Sequence, residues 1–287
     1  MALVELKDLS FKYQLADEFA LKRINLKIEE GDFYAIVGAN GSGKSSLCYA
    51  IRGFIPHFHR GDFSGEVLVA DQSNSQRKLG EIGLDVGFVF QNPFSQISGV
   101  AMNVYEEVSF GLENLGVAKE MIAHRVEEIM TLLEIEHLRQ RNPYNLSGGE
   151  QQKVAIASVM VMEPRILILD EPTSQLDPVG TEQVFKAIEL MKNRGMTIIL
   201  VEHKMELISY FANKVAVLKN GELLLDGPIQ DVFTSPVFAH SQIKPPVYVE
   251  VNSELKKHFD YCCEEVLTHE QCTALLHSLK QRSAIEK

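Results

Sequence analysis

The sequence predicts an α/β fold whose core is a parallel sheet, and three observations support this prediction. Short apolar runs occupy positions 33–37, 166–169 and 197–201, as expected for strands that are buried on both faces of a parallel sheet. Helical patterns separate these runs along the chain, as a doubly wound sheet requires. A glycine-rich stretch, G-A-N-G-S-G-K-S, follows the first run and leads into a helical pattern.

In two further regions the apolar residues recur with a different spacing. Residues 1–33 alternate apolar and polar positions, and residues 61–90 return to short strand patterns. Between about 92 and 147 the period becomes helical, with Asn103 as a good N-cap for a helix that stops at Gly116. An amphipathic stripe follows at Ile122, Val126, Ile129 and Leu133. This region is therefore predicted to be a helical insert between two parts of a sheet domain.

The end of the chain forms a separate helical pattern. The sheet pattern weakens after Gly227 and Pro228, and residues 252–287 are predicted to be helical. Thr268 is a suitable N-cap for a helix that carries Leu275, Leu276 and Leu279. A small C-terminal unit is therefore expected beyond the sheet domain.

Composition and cysteine spacing argue against some classes of protein. The chain has 287 residues, of which 28 are basic and 39 acidic, giving a formal net charge of −11. This acidic balance argues against a general nucleic-acid-binding protein, whose binding surface would be basic. The four cysteines are Cys48, Cys262, Cys263 and Cys272, and no C-x-x-C pair is present. The spacing suggests neither a metal site nor a disulfide framework, and a reducing interior fits best.

Targeting and membrane-spanning signals are also missing from the sequence. The first ten residues contain no basic segment followed by an apolar stretch, so we expect no signal peptide. No stretch approaches the roughly 18 apolar residues that a spanning helix needs. Any membrane role is therefore expected to depend on a partner protein.

The stretch from Gly38 to Ser45 matches the phosphate-binding loop called Walker A, in its required context of strand, loop and helix. Glycine allows the backbone to wrap closely around phosphates, and the amide groups at the helix N-terminus attract the anion. Lys44 would supply positive charge to the β- and γ-phosphates, and the Ser45 hydroxyl would bind Mg²⁺. The alternative, a glycine-rich turn with a surface lysine, does not explain this context.

The run I-L-I-L-D-E at 166–171 supplies acidic groups for the same chemistry. Its apolar strand delivers Asp170 to the carboxyl end of the sheet, where open α/β folds bind their ligands. Asp170 would hold Mg²⁺ directly or through water, and Glu171 is well placed to act as general base for an attacking water. Two carboxylates after a strand could also form a solvated turn, an interpretation that the Walker A loop disfavours.

Three further residues are candidates with open alternatives. Gln91 follows the strand pattern ending at Phe90 and could contact Mg²⁺ or the attacking water, or could simply cap a turn. His203 follows a strand and could reach the γ-phosphate, although a lone histidine is more often structural. Tyr13 could stack on adenine, but it shares a strand face with Phe11 and core packing is a serious alternative.

The order of these motifs resembles the ATPase subunit of an ATP-binding cassette (ABC) transporter. Walker A, Gln91, L-S-G-G-E, I-L-I-L-D-E, S-Q-L-D and His203 occur in that order within residues 1–230. The resemblance implies a P-loop NTPase (RecA-like) parallel-sheet core with an antiparallel β subdomain, an α-helical subdomain and a small C-terminal helical domain. It implies ATP and Mg²⁺ as ligands, and raises Gln91, His203 and Tyr13 to functional residues. The residues that would contact ATP from the loop are Gly38, Asn40, Gly41, Ser42, Gly43, Lys44, Ser45 and Ser46.

The second glycine-rich stretch, L-S-G-G-E at 146–150, resembles the family's signature motif. In that family two ATPase subunits pack head to tail, and each ATP lies between one chain's Walker A and the other chain's signature. The resemblance implies that Ser147, Gly148 and Gly149 bind the partner's γ-phosphate, aided by the dipole of the following helix. Glu150 replaces the commoner glutamine, and Gln175 replaces a common alanine in the S-Q-L-D stretch. These departures put equal activity of the two ATP sites in doubt.

Local detail resembles one group within this family. The stretches F-Q-N-P-F-S-Q at 90–96, N-V-Y-E-E-V-S-F-G-L-E-N-L-G at 103–116 and V-L-T-H-E-Q-C-T-A-L-L at 266–276 are similar to energy-coupling factor (ECF) importers and to cobalt and nickel importers. That resemblance implies a membrane T component, a substrate-binding S component and a second ATPase, identical or not, as partners. It also implies a peripheral location on the cytoplasmic face of the cell membrane.

The resemblance also implies domain boundaries. We expect an ABC ATPase domain over 1–235, with its helical subdomain at about 92–147, and a C-terminal domain over 236–287 that contacts the second ATPase. Two other classes of function stay open. A soluble ABC ATPase of DNA maintenance or translation would usually have a coiled-coil insertion or two modules, and an exporter ATPase would lack the stretches quoted above.

Overall fold

The computed structural model describes residues 2–258, 266 and 268–285. Its strands are β1 (Ala2–Tyr13), β2 (Leu21–Glu29), β3 (Phe33–Gly38), β4 (Gly61–Val69), β5 (Gln72–Ser73), β6 (Val86–Val89), β7 (Ile166–Asp170), β8 (Thr197–Val201), β9 (Lys214–Lys219) and β10 (Glu222–Pro228). Its α-helices are α1 (Lys44–Arg52), α2 (Phe54–His57), α3 (Leu79–Asp85), α4 (Val104–Asn114), α5 (Lys119–Leu132), α6 (Gly148–Met160), α7 (Pro178–Asn193), α8 (Met205–Phe211), α9 (Ile229–Thr234), α10 (Val247–His258) and α11 (His269–Ile285).

The core sheet has six strands in the order β10-β9-β3-β8-β7-β6. All neighbours in it are parallel except β10, which pairs antiparallel with β9 at one edge. The three apolar runs of the sequence form β3, β7 and β8, and every residue of these strands is buried. The predicted parallel sheet is therefore confirmed, and burial on both faces explains why its strands lack alternation.

Successive residues of β3 point into two different hydrophobic cores. Tyr34 and Ile36 join a cluster that contains Phe11 of β1 and Leu47 of α1. Phe33, on the other face, joins the larger cluster built with helices α4 to α7. The sheet is thus a buried wall between two layers, as the period of two in a strand requires.

A second sheet is antiparallel, with the order β2-β1-β4-β5. It covers the face of the core sheet that carries Tyr34 and Ile36. The prediction of strands throughout 61–90 is wrong for the helix α3, whose two glycines disfavour a helical prediction. Ile82 of that helix is fully buried, and a Cβ on Gly53 would lie 2.5 Å from its Cδ1 atom. Tertiary packing at this contact therefore decides the local structure.

The helical insert is confirmed in detail. The Asn103 side chain accepts a hydrogen bond from the Glu106 amide at 3.0 Å and caps α4, and Gly116 follows that helix with a φ of 70°. The predicted stripe lies on α5 and just beyond its end, and all four of its side chains are buried: Ile122, Val126, Ile129 and Leu133.

The C-terminal segment contains the helices α10 and α11. Thr268 precedes α11, and its hydroxyl accepts a hydrogen bond from the Gln271 amide at 3.3 Å. Phe238 and Val249 belong to the same hydrophobic cluster as Phe233 of α9, so the start of this segment packs on the sheet domain. Cys262 and Cys263 lie outside the described residues. In the part of the chain that the structure describes, no helix has the length and apolar character needed to cross a bilayer.

Candidate active site

The loop between β3 and α1 needs glycine at two positions, because a side chain there would clash with neighbouring atoms. Gly43 has a φ of 104°, and a Cβ there would lie 2.5 Å from the carbonyl oxygen of Ala20. A Cβ on Gly38 would lie 2.4 Å from the Ser42 Oγ atom. Any other residue would push the backbone outward at these positions. The glycines therefore hold open a tight backbone cradle at the end of β3.

Polar groups in this cradle are available for an anion. The Ser42 Oγ atom is buried and has no hydrogen-bond partner among the described residues. No described side chain caps the N-terminus of α1, so its first amide groups are available too. Lys44 folds over the loop and donates to the carbonyl oxygens of Gly38 at 3.0 Å and Ala39 at 3.2 Å. These groups fit the phosphates of a nucleotide.

The Lys44 ammonium is held in a desolvated position among acidic groups. Burial lowers the pKa of Lys44, while the carboxylates of Glu171 and Asp170 oppose this effect. Its side chain is 6% exposed. A positive charge that is poorly hydrated and faces an open cleft interacts strongly with an incoming anion.

Asp170 and Ser45 are two oxygen-bearing side chains near the loop. Asp170 ends β7, and burial raises the pKa of its carboxyl group, while a hydrogen bond from the Ser45 hydroxyl opposes the shift. Gln91 adds an amide oxygen at the rim of the same cleft. Hydroxyl, carboxylate and amide oxygens are the ligands that Mg²⁺ prefers, so this donor set fits a magnesium ion.

Two predicted residues, Gln91 and His203, contact the carboxylate of a third, Glu171. Its Oε2 atom accepts a hydrogen bond from Gln91 Nε2 at 2.7 Å, and its Oε1 atom lies 2.8 Å from His203 Nε2. The backbone of Glu171 is left-handed with a φ of 50°, and its amide donates to the Val201 carbonyl at 2.9 Å. An uncommon backbone conformation held by a sheet contact fixes the direction of this carboxylate.

These residues line one open cleft of about 410 Å³. Its walls come from the glycine loop, from the ends of β6 and β7, and from the segment after β8, and they comprise Asn40, Gly41, Lys44, Ser45, Gln91, Glu171 and His203. The cleft thus combines a phosphate cradle, oxygen ligands and a carboxylate that could accept a proton from water.

Glu202 is a site residue that the sequence analysis missed. Its side chain is 4% exposed. It accepts hydrogen bonds from the His203 amide at 2.7 Å and from the Thr173 hydroxyl. It therefore ties the loop that carries His203 to the loop that follows Glu171. The sequence does contain a signal for this residue, because Glu202 is a charged residue directly after the apolar strand β8.

Tyr13 lies beside the start of α1, outside the lining of the cleft. Its hydroxyl forms a hydrogen bond of 3.0 Å with the Ser46 Oγ atom. Its ring packs edge-on against Phe11 at 4.8 Å and His59 at 5.8 Å between ring centroids. Tyr13 is only partly buried, so the geometry allows both packing and contact with a nucleobase.

The signature residues are not part of this cleft. Ser147 caps α6, where its amide and hydroxyl each donate to Glu150 Oε2 at 2.7 Å. Gly148 and Gly149 pack against Gln175, and a Cβ on either would lie 3.3 Å from an oxygen of that residue. Within one chain, the second glycine-rich stretch therefore presents a separate helix N-terminus.

The comparisons with known proteins agree with this geometry. A family model described as ABC transporter matches residues 21–174, and the chain belongs to the ABC transporter family as an ATP-binding cassette. A putative ABC transporter ATP-binding protein of Pyrococcus horikoshii is 43% identical over 90% of this chain and 90% of its own length. The energy-coupling factor transporter ATP-binding protein EcfA2 of Methanospirillum hungatei is 37% identical over 88% of this chain and 63% of its own length.

Solved structures show the same fold. The structure of cbiO1 from Clostridium perfringens, part of the ABC transporter complex cbiONQ, is 34% identical with a TM-score of 0.71. It covers 89% of this chain and 96% of its own. The ATP-binding cassette MJ0796, a dimer in a post-hydrolysis state with ADP and Pi, is 29% identical with a TM-score of 0.69, covering 78% and 98%. The chain is an ATPase that binds and hydrolyses ATP.

A Gly43→Ala substitution tests the backbone cradle. The added Cβ would meet the Ala20 carbonyl at 2.5 Å, so the loop must shift away from the phosphates. We expect ATP affinity to fall at least about tenfold, the loss of a single good charged hydrogen bond. Equilibrium binding of a fluorescent ATP analogue measures the effect.

Gly31→Ala is the matched control, because Gly31 also has a positive φ, 81°, and no atom lies within 4 Å of its added Cβ. This control should lose about 1–2 kcal/mol of stability through its left-handed backbone and keep its ATP affinity. Equal affinity for Gly43→Ala and the unmodified protein would show that the glycine is not required for the cradle.

Proposed function

We propose that this chain is the ATP-hydrolysing subunit of an ECF-type importer that takes up a vitamin or a transition-metal micronutrient. The similarity to an EcfA2 protein and to cbiO1 of the cbiONQ complex supports this assignment. So do the stretches at 90–96 and 103–116, which resemble that group. The observation that carries the proposal is a cleft with loop, carboxylate and histidine in place, in a chain that is similar to cbiO1 of the cbiONQ complex.

ATP would lie with its phosphates in the loop of residues 38–46. Ser42, Lys44 and the first amides of α1 would bind the β- and γ-phosphates, and Ser46 would contact the phosphate nearer the ribose. The unpartnered Ser42 hydroxyl and the desolvated Lys44 support these roles. Tyr13 would stack on the adenine, held in place by its hydrogen bond to Ser46.

Mg²⁺ would be held by Ser45 and Asp170, with Gln91 as a further ligand. When bound, the ion would neutralise charge on the phosphate oxygens during transfer to water. Ser45 lines the cleft, and its hydroxyl is close enough to Asp170 to oppose the rise in the pKa of that carboxyl group. This proximity supports their role as ligands of one ion.

Glu171 would act as general base for the attacking water. Gln91 and His203 bracket its carboxylate at 2.7 and 2.8 Å, which orients both oxygens toward the cleft. Each oxygen keeps a second lone pair that can accept a proton. His203 would also reach the γ-phosphate, and Glu202 would fix its loop.

A second cassette would complete each ATP site. Ser147, Gly148 and Gly149 lie outside the cleft of their own chain, although their motif is suited to an anion. The dimeric MJ0796 cassette supports an arrangement in which they face the partner's ATP. ATP would then close the dimer and hydrolysis would release it, which converts phosphate chemistry into motion.

Membrane partners would receive this motion. We assign the T component to the loop at Gln91 and the helical subdomain at about 92–147, and substrate binding to a separate S component. The chain would sit peripherally on the cytoplasmic face of the membrane. The C-terminal segment 236–287 would hold the two ATPases together.

Glu171→Gln tests the general base. The amide preserves size and the hydrogen bond to His203 but cannot accept the proton from water. We expect ATP binding to be retained and steady-state hydrolysis to fall by about 100-fold or more, measured by phosphate release. The exposed Glu189→Gln serves as control. Near-normal hydrolysis by Glu171→Gln would exclude this residue as the base.

Capture from native membranes tests the importer assignment. Tagged Glu171→Gln protein, held with Mg-ATP, should retain a polytopic membrane protein of the T-component type after mild detergent extraction. Mass spectrometry identifies the retained proteins, and untagged protein is the control. Retention of ribosomes, of nucleic acid or of an exporter's membrane domain would contradict the ECF assignment while leaving the ATPase activity intact.

A further inference from the structure

Three polar residues form a connected series at the start of α6. Ser147 donates from both its amide and its hydroxyl to Glu150 Oε2, each at 2.7 Å. The other carboxylate oxygen of Glu150 lies 3.2 Å from Arg141 Nη1. Ser147 and Arg141 therefore share one carboxylate between them.

This series limits what the Ser147 hydroxyl can do. A hydroxyl has one hydrogen to donate, and an ionised carboxylate only accepts. While Ser147 donates to Glu150, it cannot donate to a phosphate oxygen. The Glu150 amide also approaches Ser147 Oγ at 3.4 Å, as in a capping box. Glu150 therefore competes with any phosphate for the same hydrogen.

Charge adds a second obstacle. Hydrogen bonds from the backbone and side chain of Ser147 lower the pKa of Glu150, with Arg141 contributing to the shift, so this carboxylate is ionised at neutral pH. A negative charge within hydrogen-bond distance of Ser147 repels an approaching phosphate. A glutamine at this position would carry no such charge. Glu150 in place of the commoner glutamine therefore calls for a compensating cation.

Arg141 is placed to supply that compensation. Its guanidinium remains positive at any physiological pH, and its Nη2 donates to the Asn145 carbonyl at 3.1 Å. Its own backbone carbonyl accepts from the amide of Val104, the first residue of α4, at 3.0 Å. The residue thus links the start of α4, the segment before Ser147 and the first turn of α6.

We propose that Arg141 is a positioning residue of the shared ATP site. It holds Glu150 in place and neutralises its charge, so that the Ser147 hydroxyl can turn from Glu150 to the γ-phosphate of ATP on a second copy of this chain. The exchange replaces one hydrogen bond of Ser147 by another, and its proton stays on the serine. This inference rests on the proposed function, in which Ser147 binds the partner's nucleotide.

The test compares variants in the Glu171→Gln background, where hydrolysis does not consume the bound ATP. The dimer dissociation constant is measured by sedimentation at saturating Mg-ATP. Arg141→Ala leaves an uncompensated charge beside the phosphate, and two like charges about 6 Å apart at intermediate dielectric constant weaken association about tenfold at each site. A dimer with two such sites should therefore dissociate about a hundredfold more readily. Adding Glu150→Gln removes that charge and should restore the constant to within about twofold.

Two further readouts separate this role from a merely structural one. The loss in Arg141→Ala should shrink at high salt, because ions screen exposed charges. Affinity of each monomer for ATP should stay unchanged, because Arg141 acts on the partner's nucleotide. Arg139→Ala is the matched control, since Arg139 pairs with Glu127 and lies over the Tyr105 ring. Its dimer should form as in the parent.

The outcomes are distinguishable. Rescue of Arg141→Ala by Glu150→Gln, with reduced loss at high salt, supports the proposal. Normal dimerisation of Arg141→Ala, or weakened dimerisation that Glu150→Gln does not rescue, overturns it. Failure of the Glu171→Gln parent itself to dimerise with Mg-ATP would show that a second copy of this chain is not the partner. That result would overturn the inference and leave the proposed function standing with a non-identical cassette.

Discussion

The carboxyl edge of the parallel sheet is the constraint on which the rest of the site depends. Four neighbouring strands, β3, β8, β7 and β6, end at this edge. They deliver in turn the glycine loop, His203, the Asp170–Glu171 pair and Gln91. Neighbouring strands lie about 4.8 Å apart, so side chains at their ends come within reach of one ligand. These strands are buried on both faces, and the hydrogen bonds around Glu171 form where they end.

The parts of this arrangement that short stretches of sequence encode could be predicted. The glycine loop and the apolar strands are encoded within short stretches, because each requires particular residue types at consecutive positions. The convergence of Gln91 and His203 on Glu171 is different, since it depends on a strand order that departs from chain order. Spacing alone therefore left both residues with structural alternatives, and only resemblance favoured their function. The roles of the site residues stay predictions until tested.

Other features could not be predicted for physical reasons. Helix α3 contains two glycines and forms through the burial of Ile82 against Gly53, a contact between segments distant in sequence. Glu202 is a carboxylate that directly follows an apolar strand, and its partners, the Thr173 hydroxyl and the His203 amide, become visible only in the fold. The two departures from the family pattern, Glu150 and Gln175, both contact the signature residues. Their effect depends on neighbours such as Arg141 and not on residue type alone.

The central claim is that each ATP site is shared between two chains, and complementation tests it most directly. Lys44→Ala should disable the phosphate loop, and Ser147→Arg should disable the signature that faces the partner. Each variant alone should hydrolyse ATP poorly. In an equal mixture, half of the dimers would combine the intact loop of one chain with the intact signature of the other, restoring about a quarter of the unmodified activity in a two-fold symmetric assembly. Absence of any recovery, with both variants folded and mixed dimers detected, would contradict the shared site.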